Sequence, residues 1–268
     1  MNESTQPLMH FAHANGFPAA SYTLMFEQLR DSVQVCALDK FAHNPEFPLN
    51  RGWSNQVNEL IHYLETQTSE PCYLVGHSFG AVVSYMTACQ YPEKIKGLIM
   101  LDPPLITGIT SLMVRAIRPT PLFDRFTPAL QTLNRCTWWS HDEDIVGYFK
   151  SKALFKDMHP TCIEDYVKAA VEPTDGGHKL TFDHITEANI FRTIPLDISR
   201  FYGKLTVPSL LVTGENTKVC VAKLIAPFIK RNHIRHMVLK KGGHMFPLEQ
   251  PLTVATLIQQ QISDWEKG

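Results

Sequence analysis

The sequence predicts an α/β protein, a mainly parallel sheet of about six strands with helices on both faces and a helical insertion between two of the strands. Three observations carry this. Short apolar runs alternate with helical patterns over the first hundred residues, the alternation stops between 103 and 205, and it resumes to residue 268. Strands separated by helix-length connections have to run parallel, because a hairpin needs only a short turn. An interruption inside one such rhythm is better explained by an insertion than by an independent second domain. Residues 1–102 and 206–268 are therefore expected to form one core, with residues 103–205 as a helical cap upon it.

The elements follow in order. The apolar run 8–12 reads as the first strand, and 19–30 has helical spacing. Residues 33–38 read as a strand, 54–66 as a helix, 72–75 as an uninterrupted apolar strand, 81–90 as a helix and 98–101 as a strand. Prolines and helical or irregular stretches fill 103–205, where the aromatic-rich Cys136-Thr137-Trp138-Trp139 suits a pocket wall and a cap core equally well. The rhythm returns with a strand at 209–212, a helix at 219–230, a strand at 236–239 and a last helix at 251–265.

Composition narrows the function. With 268 residues, 44% of them hydrophobic, the chain can bury a full core. Twenty-five basic against twenty-six acidic residues leave a net charge of -1, which argues against nucleic acid or an anionic membrane as a partner drawn by bulk charge. A neutral or apolar small molecule fits better, and the oligomeric state stays open. Six cysteines without a C-x-x-C pair read as reduced thiols. The first residues lack a basic, then apolar leader, and no apolar run of about 18 residues occurs, so a cytoplasmic protein without a membrane partner is expected. No phosphate loop or dinucleotide fingerprint is present, and no cofactor is expected. His10-x-x-His13 and His233-x-x-His236 invite a metal reading, but odd spacing on a strand sends two side chains to opposite faces, and no metal is expected either. The run Lys230, Arg231, Arg235, Lys240 and Lys241 reads as a solvated face.

The chemistry is concentrated in Gly76-His77-Ser78-Phe79-Gly80, between the apolar run 72–75 and the helix 81–90. A serine standing out of a sharp strand-to-helix turn adopts a strained backbone, and side chains two positions to either side would collide; glycine removes them. The following helix points its N-terminal amides at charge developing near Ser78. Serine is a weak nucleophile at neutral pH and needs a base. His244, in Gly242-Gly243-His244-Met245-Phe246-Pro247 after the last strand, is the histidine whose place in the chain order suits that task.

With Asn15-Gly16-Phe17-Pro18 after the first strand, the elbow at Ser78, Gly214-Glu215 after the strand 209–212, and Gly243-His244 leading to Glu249 and Pro251, the chain resembles an α/β-hydrolase with a helical cap over nearly its whole length. The resemblance implies a serine nucleophile and an oxyanion hole made by the Phe79 amide and one amide of the loop after the first strand, here Phe17. Three departures stand out. The family usually begins with two antiparallel strands, whereas seven residues precede the first strand here, which implies a sheet shortened to about six strands. The common His-Gly of the oxyanion loop reads Asn15-Gly16, so Asn15 or His13 braces that loop, or Asn15 is a polar turn residue. The usual acid, three residues after the glycine, is replaced by Thr217; relatives that carry it after the strand following the elbow helix point to Asp102, with Glu215 or an acid-free dyad as alternatives. The resemblance implies a serine esterase, and the prolines and the aromatic and aliphatic residues of 103–205 suggest a closed apolar pocket, hence a small or medium-sized acyl substrate. The resemblance also accommodates thioester or carbon–carbon cleavage, acyl transfer, a lyase step, or a binding protein without catalysis. A serine nucleophile disfavours dehalogenase and epoxide-hydrolase chemistry, which in this fold use aspartate.

Overall fold

The computed structural model describes residues 6–268. The chain forms β1 (Leu8–Ala12), a 3₁₀ turn leading into α1 (Thr23–Leu29), β2 (Gln34–Cys36), α2 (Ser54–Gln67), β3 (Cys72–His77), α3 (Phe79–Gln90) and β4 (Ile95–Leu101). Next come α4 (Gly108–Ile117), α5 (Leu122–Phe126), α6 (Ala129–Leu133), β5 (Trp138–Trp139), α7 (Ile145–Lys150), α8 (Pro160–Ala170), β6 (Val171–Thr174), β7 (Gly177–Leu180) and α9 (His184–Arg192). The chain ends with β8 (Ser209–Gly214), α10 (Ala222–Asn232), β9 (Arg235–Leu239), α11 (Phe246–Glu249) and α12 (Pro251–Lys267).

The main sheet has six strands in the order β2-β1-β3-β4-β8-β9, every neighbouring pair parallel. Side chains alternate across it. Leu74, Leu98 and Met100 pack with residues of α2, α3 and α10, while Tyr73, Val75, Ile99 and Leu101 pack with α1, α8 and α12. A sheet covered on both faces needs central strands that are apolar throughout, and β3 is buried along its whole length. The edge strands β2 and β9 are only partly buried, so their sequence signal is weaker, and β2 is shorter than the expected 33–38. Conversely, β3 runs on through Gly76 and His77, and β4 begins at Ile95, three residues before the expected start. Lys96 and Gly97 break the apolar run, and the pairing shifts there: Ile95 lies opposite Cys72 and Gly97 opposite Tyr73, so Lys96 is an extra residue in a bulge and β4 continues beyond it.

The segment between β4 and β8 is mainly helical, as expected, but not without strands. Besides α4 to α9 it contains an antiparallel sheet in the order β5-β7-β6. Val171-Glu-Pro-Thr and Gly177-His-Lys-Leu are short and largely polar; they pair with each other, and the second also pairs with the Trp138-Trp139 segment, so their register comes from these pairings rather than from an apolar pattern. Trp139 is wholly buried among Tyr148 and Phe149 and belongs to the core, whereas Trp138 is half exposed.

The sheet order reverses between β1 and β3, since the chain winds outward to β2 on one side and to β4, β8 and β9 on the other. Ligands in open α/β sheets bind beyond the carboxyl ends of the strands at such a switch point. Here those ends carry the loop with Phe17 after β1 and Ser78 after β3.

Candidate active site

Ser78 sits between β3 and α3 with φ 53° and ψ -117°, a conformation that a residue with a side chain adopts only when its surroundings enforce it. The enforcing contacts are backbone to backbone. A Cβ on Gly76 would lie 2.5 Å from the Gly80 carbonyl oxygen, and one on Gly80 would lie 2.2 Å from that of Ala12. The two glycines thus let α3 close against β1 and β3, which leaves Ser78 9% exposed at the floor of a cavity.

The structure brings three of the expected residues together. The Ser78 hydroxyl lies 3.0 Å from His244 Nε2, and His244 Nδ1 lies 2.7 Å from Asp102 Oδ2. Asp102, at the end of β4 with φ 47°, is fully buried and accepts from the Gly214 amide (3.1 Å) as well. A carboxylate accepts only, so Nδ1 carries the imidazole proton and Nε2 is left to accept from Ser78. Glu215 is exposed and its carboxylate takes the Lys241 amide (2.8 Å), away from His244. Thr217 adds what sequence reasoning missed. Its Oγ1 receives the amides of Val219 (3.1 Å) and Cys220 (3.4 Å) and therefore points its proton at Asp102 Oδ2, 2.6 Å away. Position 217, where the resemblance expects the usual acid, thus donates a hydrogen bond to the candidate acid Asp102. Thr217 was visible in the sequence only as a missing carboxylate.

Two further features hold the loops. The Gly243 amide donates to Glu249 (2.7 Å), tying the His244 loop to α11. A directional chain runs beneath the site: the Ala14 amide donates to the Tyr22 hydroxyl (3.3 Å), Tyr22 to His77 Nδ1 (2.7 Å), and His77 Nε2 to the His244 carbonyl (2.9 Å). Burial pushes the His77 imidazole down to about 3, so it stays neutral and keeps one tautomer. The loop after β1, the elbow and the His244 loop are thereby joined.

The oxyanion candidates differ in their engagement. Phe79 opens α3, where the first amides have no intrahelical acceptor. The Phe17 amide already donates to the Ala14 carbonyl (3.1 Å) in a turn that Gly16 makes with φ 77°. Asn15 braces that turn by donating to the Glu187 carbonyl (2.9 Å). His13 braces it too, with Nδ1 donating to Ala14 (2.8 Å) and Nε2 accepting from Phe41 (2.9 Å). His10 and His13 both pack on Phe41 instead of facing opposite ways, because β1 ends at Ala12 and the alternation ends with it. In the second histidine pair, His236 meets the Thr213 hydroxyl at 2.9 Å and His233 ends α10.

The cavity above Ser78 has a volume of about 650 Å³ and a mainly apolar wall whose aromatic residues include Phe17, Trp53, Phe123, Phe149 and Phe155. One charged pair breaks this wall. Arg135 Nη1 bonds Glu187 (2.6 Å) and its Nη2 bonds the Tyr166 hydroxyl (2.9 Å). Both charges are mostly buried, and burial raises the Glu187 carboxyl above its ordinary range despite the guanidinium beside it. The Glu187 carboxylate lies directly against Gly16, where a Cβ would be 2.5 Å from its oxygen.

Among known proteins, residues 11–257 match the alpha/beta hydrolase family. Epoxide hydrolase 4 of Homo sapiens is 24% identical over 277 residues, covering 96% of this chain and 72% of that protein. The 2-(acetamidomethylene)succinate hydrolase of Mesorhizobium japonicum is 24% identical over 229 residues, covering 82% and 74%. A crystal structure of E-2-(acetamidomethylene)succinate hydrolase superposes with a TM-score of 0.79 at 20% identity, covering 97% of this chain and 92% of that one.

Proposed function

The chain belongs to the alpha/beta hydrolase family, and on that premise we propose that it is a serine hydrolase that cleaves a small or medium-sized carboxylic ester through an acyl-enzyme on Ser78. The reading rests on one observation, the unbroken contact from Ser78 Oγ to His244 Nε2 (3.0 Å) and from His244 Nδ1 to Asp102 (2.7 Å). As Oγ attacks the carbonyl carbon, Nε2 takes its proton, and the buried carboxylate stabilises the imidazolium that forms. His244 then protonates the leaving alkoxide and later takes a proton from the water that releases the acid. The Phe79 amide receives the oxyanion at the positive end of α3, and the Phe17 amide joins it by sharing the proton of its turn bond. One such donor is worth about 3 kcal/mol in the transition state.

The nucleophile argues against the activity named for the human relative. A serine hydroxyl opening an epoxide would leave an ether, which offers water no carbonyl to attack, whereas an acyl-serine does. We assign residues 103–205 the role of a cap that shields the cavity from water. The apolar wall and its volume suit a compact apolar acyl group better than bulk lipid. The six free cysteines support a reducing, cytoplasmic setting. Other acyl derivatives form a second reading, favoured by the Arg135–Glu187 pair in the wall, which gives a polar substrate a partner beside the oxyanion loop.

The test is hydrolysis of p-nitrophenyl esters from acetate to laurate, together with fluorophosphonate labelling. Turnover and labelling are expected in the wild type, with loss of both in Ser78→Ala and loss of turnover in His244→Ala. A wild-type protein that neither turns over esters nor takes the label would overturn the reading. Label without ester turnover would move the substrate to another acyl class.

A further inference from the structure

A second cavity, of about 530 Å³, opens between the start of α2, the end of α4 and the turn that follows α9. Four guanidiniums line it, those of Arg51, Arg115, Arg118 and Arg200, against one carboxylate, Asp197. Asp197 is held by Arg200 at 3.0 Å. Among the described residues no carboxylate lies within salt-bridge distance of the other three arginines. A chain with a net charge of -1 has enough acidic residues to avoid such a gathering.

The forks are partly fixed. Arg115 Nη2 donates to the Leu196 carbonyl (3.3 Å) and Arg118 Nη2 to the Ile194 carbonyl, which lays both side chains along one backbone segment. Arg118 Nε is buried without a hydrogen-bond partner, an unmet donor of a kind folded proteins rarely leave. Burial and the neighbouring charges of Arg51 and Arg115 hold the Arg118 guanidinium below its ordinary range. Ser54, the first residue of the 14-residue α2, brings to the same wall a helix N-terminus, which favours an anion.

We propose that this cavity binds a phosphoryl group, carried either by a soluble phosphate ester or by a phospholipid headgroup. Three unpaired guanidiniums call for more charge than one carboxylate supplies. A phosphoryl dianion brings that charge together with oxygens in several directions, each able to receive a planar fork. Arg51 precedes α2 in one part of the chain, and Arg115 and Arg118 lie in and just after α4 in another. Ile194 lines this cavity and the one above Ser78, so a bound phosphoryl group adjoins the wall of the candidate active site.

Calorimetric titration of the full chain with inorganic pyrophosphate at constant ionic strength tests the proposal, beside co-sedimentation with phosphatidylcholine vesicles with and without phosphatidic acid. Saturable pyrophosphate binding is expected, weakened about tenfold or more in Arg51→Gln and in Arg118→Lys, which keeps the charge but loses the fork. Binding of pyrophosphate without vesicle capture identifies a soluble ester, and capture that depends on phosphatidic acid and on Arg51 identifies a headgroup. The exposed Arg51 can be replaced without disturbing the core, so its variant reads binding alone. Neither pyrophosphate binding nor phosphatidic-acid-dependent capture in the wild type, or binding that Arg51→Gln leaves intact, would overturn the proposal.

Discussion

Asp102 accepts three hydrogen bonds, from the Gly214 amide, the Thr217 hydroxyl and His244 Nδ1, two of them on Oδ2. Removing the Thr217 donor leaves the carboxylate with one direction less well fixed and two loop amides without their acceptor. Thr217→Val is expected to lower kcat for p-nitrophenyl acetate by roughly tenfold, the worth of about 1–2 kcal/mol for a hydrogen bond to a charged group. Because Thr217 and His244 meet the same carboxylate oxygen, position 217 is a second seat from which an acid can reach the imidazole. Asp102→Asn is expected to lower kcat by up to about 10⁴, as loss of the orienting acid does elsewhere. Adding Thr217→Asp to that variant is expected to recover part of the loss. Steady-state kinetics of the two single variants and the double variant checks this, and no recovery would mean that only the β4 end presents a carboxylate correctly.

At the scale of elements, the elbow and the α9 helix are where single substitutions matter most. Gly80→Ala puts a Cβ 2.2 Å from the Ala12 carbonyl oxygen, a clash with backbone that cannot move without opening β1 from α3. That variant is expected to lose about 3 kcal/mol or more, or to fail to fold. Gly176→Ala, whose Cβ meets nothing nearer than 3.8 Å, is expected to melt within a degree or two of the wild type. The Arg135–Glu187 pair joins the stretch before β5 to α9 and bears on the loop of Gly16. Glu187→Gln leaves a guanidinium that is mostly buried without its counter-charge, and a loss of about 3 kcal/mol is expected in urea denaturation. A smaller loss in Arg135→Met combined with Glu187→Leu would show that the cost lies in the orphaned charge, not in the missing pair.

Over the whole molecule, the buried histidines set the response to acid. Burial pushes His10 and His77 down to about 3 and His13 to about 4, from an ordinary 6.5. The unfolded chain therefore binds more protons than the folded one between those values, and stability falls as the pH drops through 6.5, by at most about 1.4 kcal/mol per pH unit for each histidine. Glu59 acts in the opposite sense. Its carboxyl is pushed up from 4.5 to about 7 by burial, so the folded chain holds the extra proton and stability falls as the pH rises through that range. Three histidines outweigh one glutamate, and the urea midpoint is expected to drop between pH 7 and pH 5. A flat or rising midpoint over that interval would show that these imidazoles are not held neutral.

Much of this was legible in the chain itself. The apolar runs of β1, β3, β4 and β8 announce a covered parallel sheet because central strands have no polar face, and Gly76, Ser78 and Gly80 announce the elbow because only glycine fits where backbones nearly touch. The position of His244 after the last strand follows from the same rhythm. What the tertiary structure decided depends on contacts between residues far apart in sequence, which leave no local pattern. The β5-β7-β6 sheet is stabilised by pairing across some forty residues of chain and not by apolar spacing. The choice of Asp102 over Glu215 lies in which carboxylate the loops after β4 and β8 bring to His244, since sequence names the acids but not their directions. Thr217 turning its proton to Asp102 and Tyr22 joined to His77 arise in the same way, from close packing of loops at the ends of parallel strands, and four arginines meet around one cavity where the start of α2, the end of α4 and the turn after α9 come together.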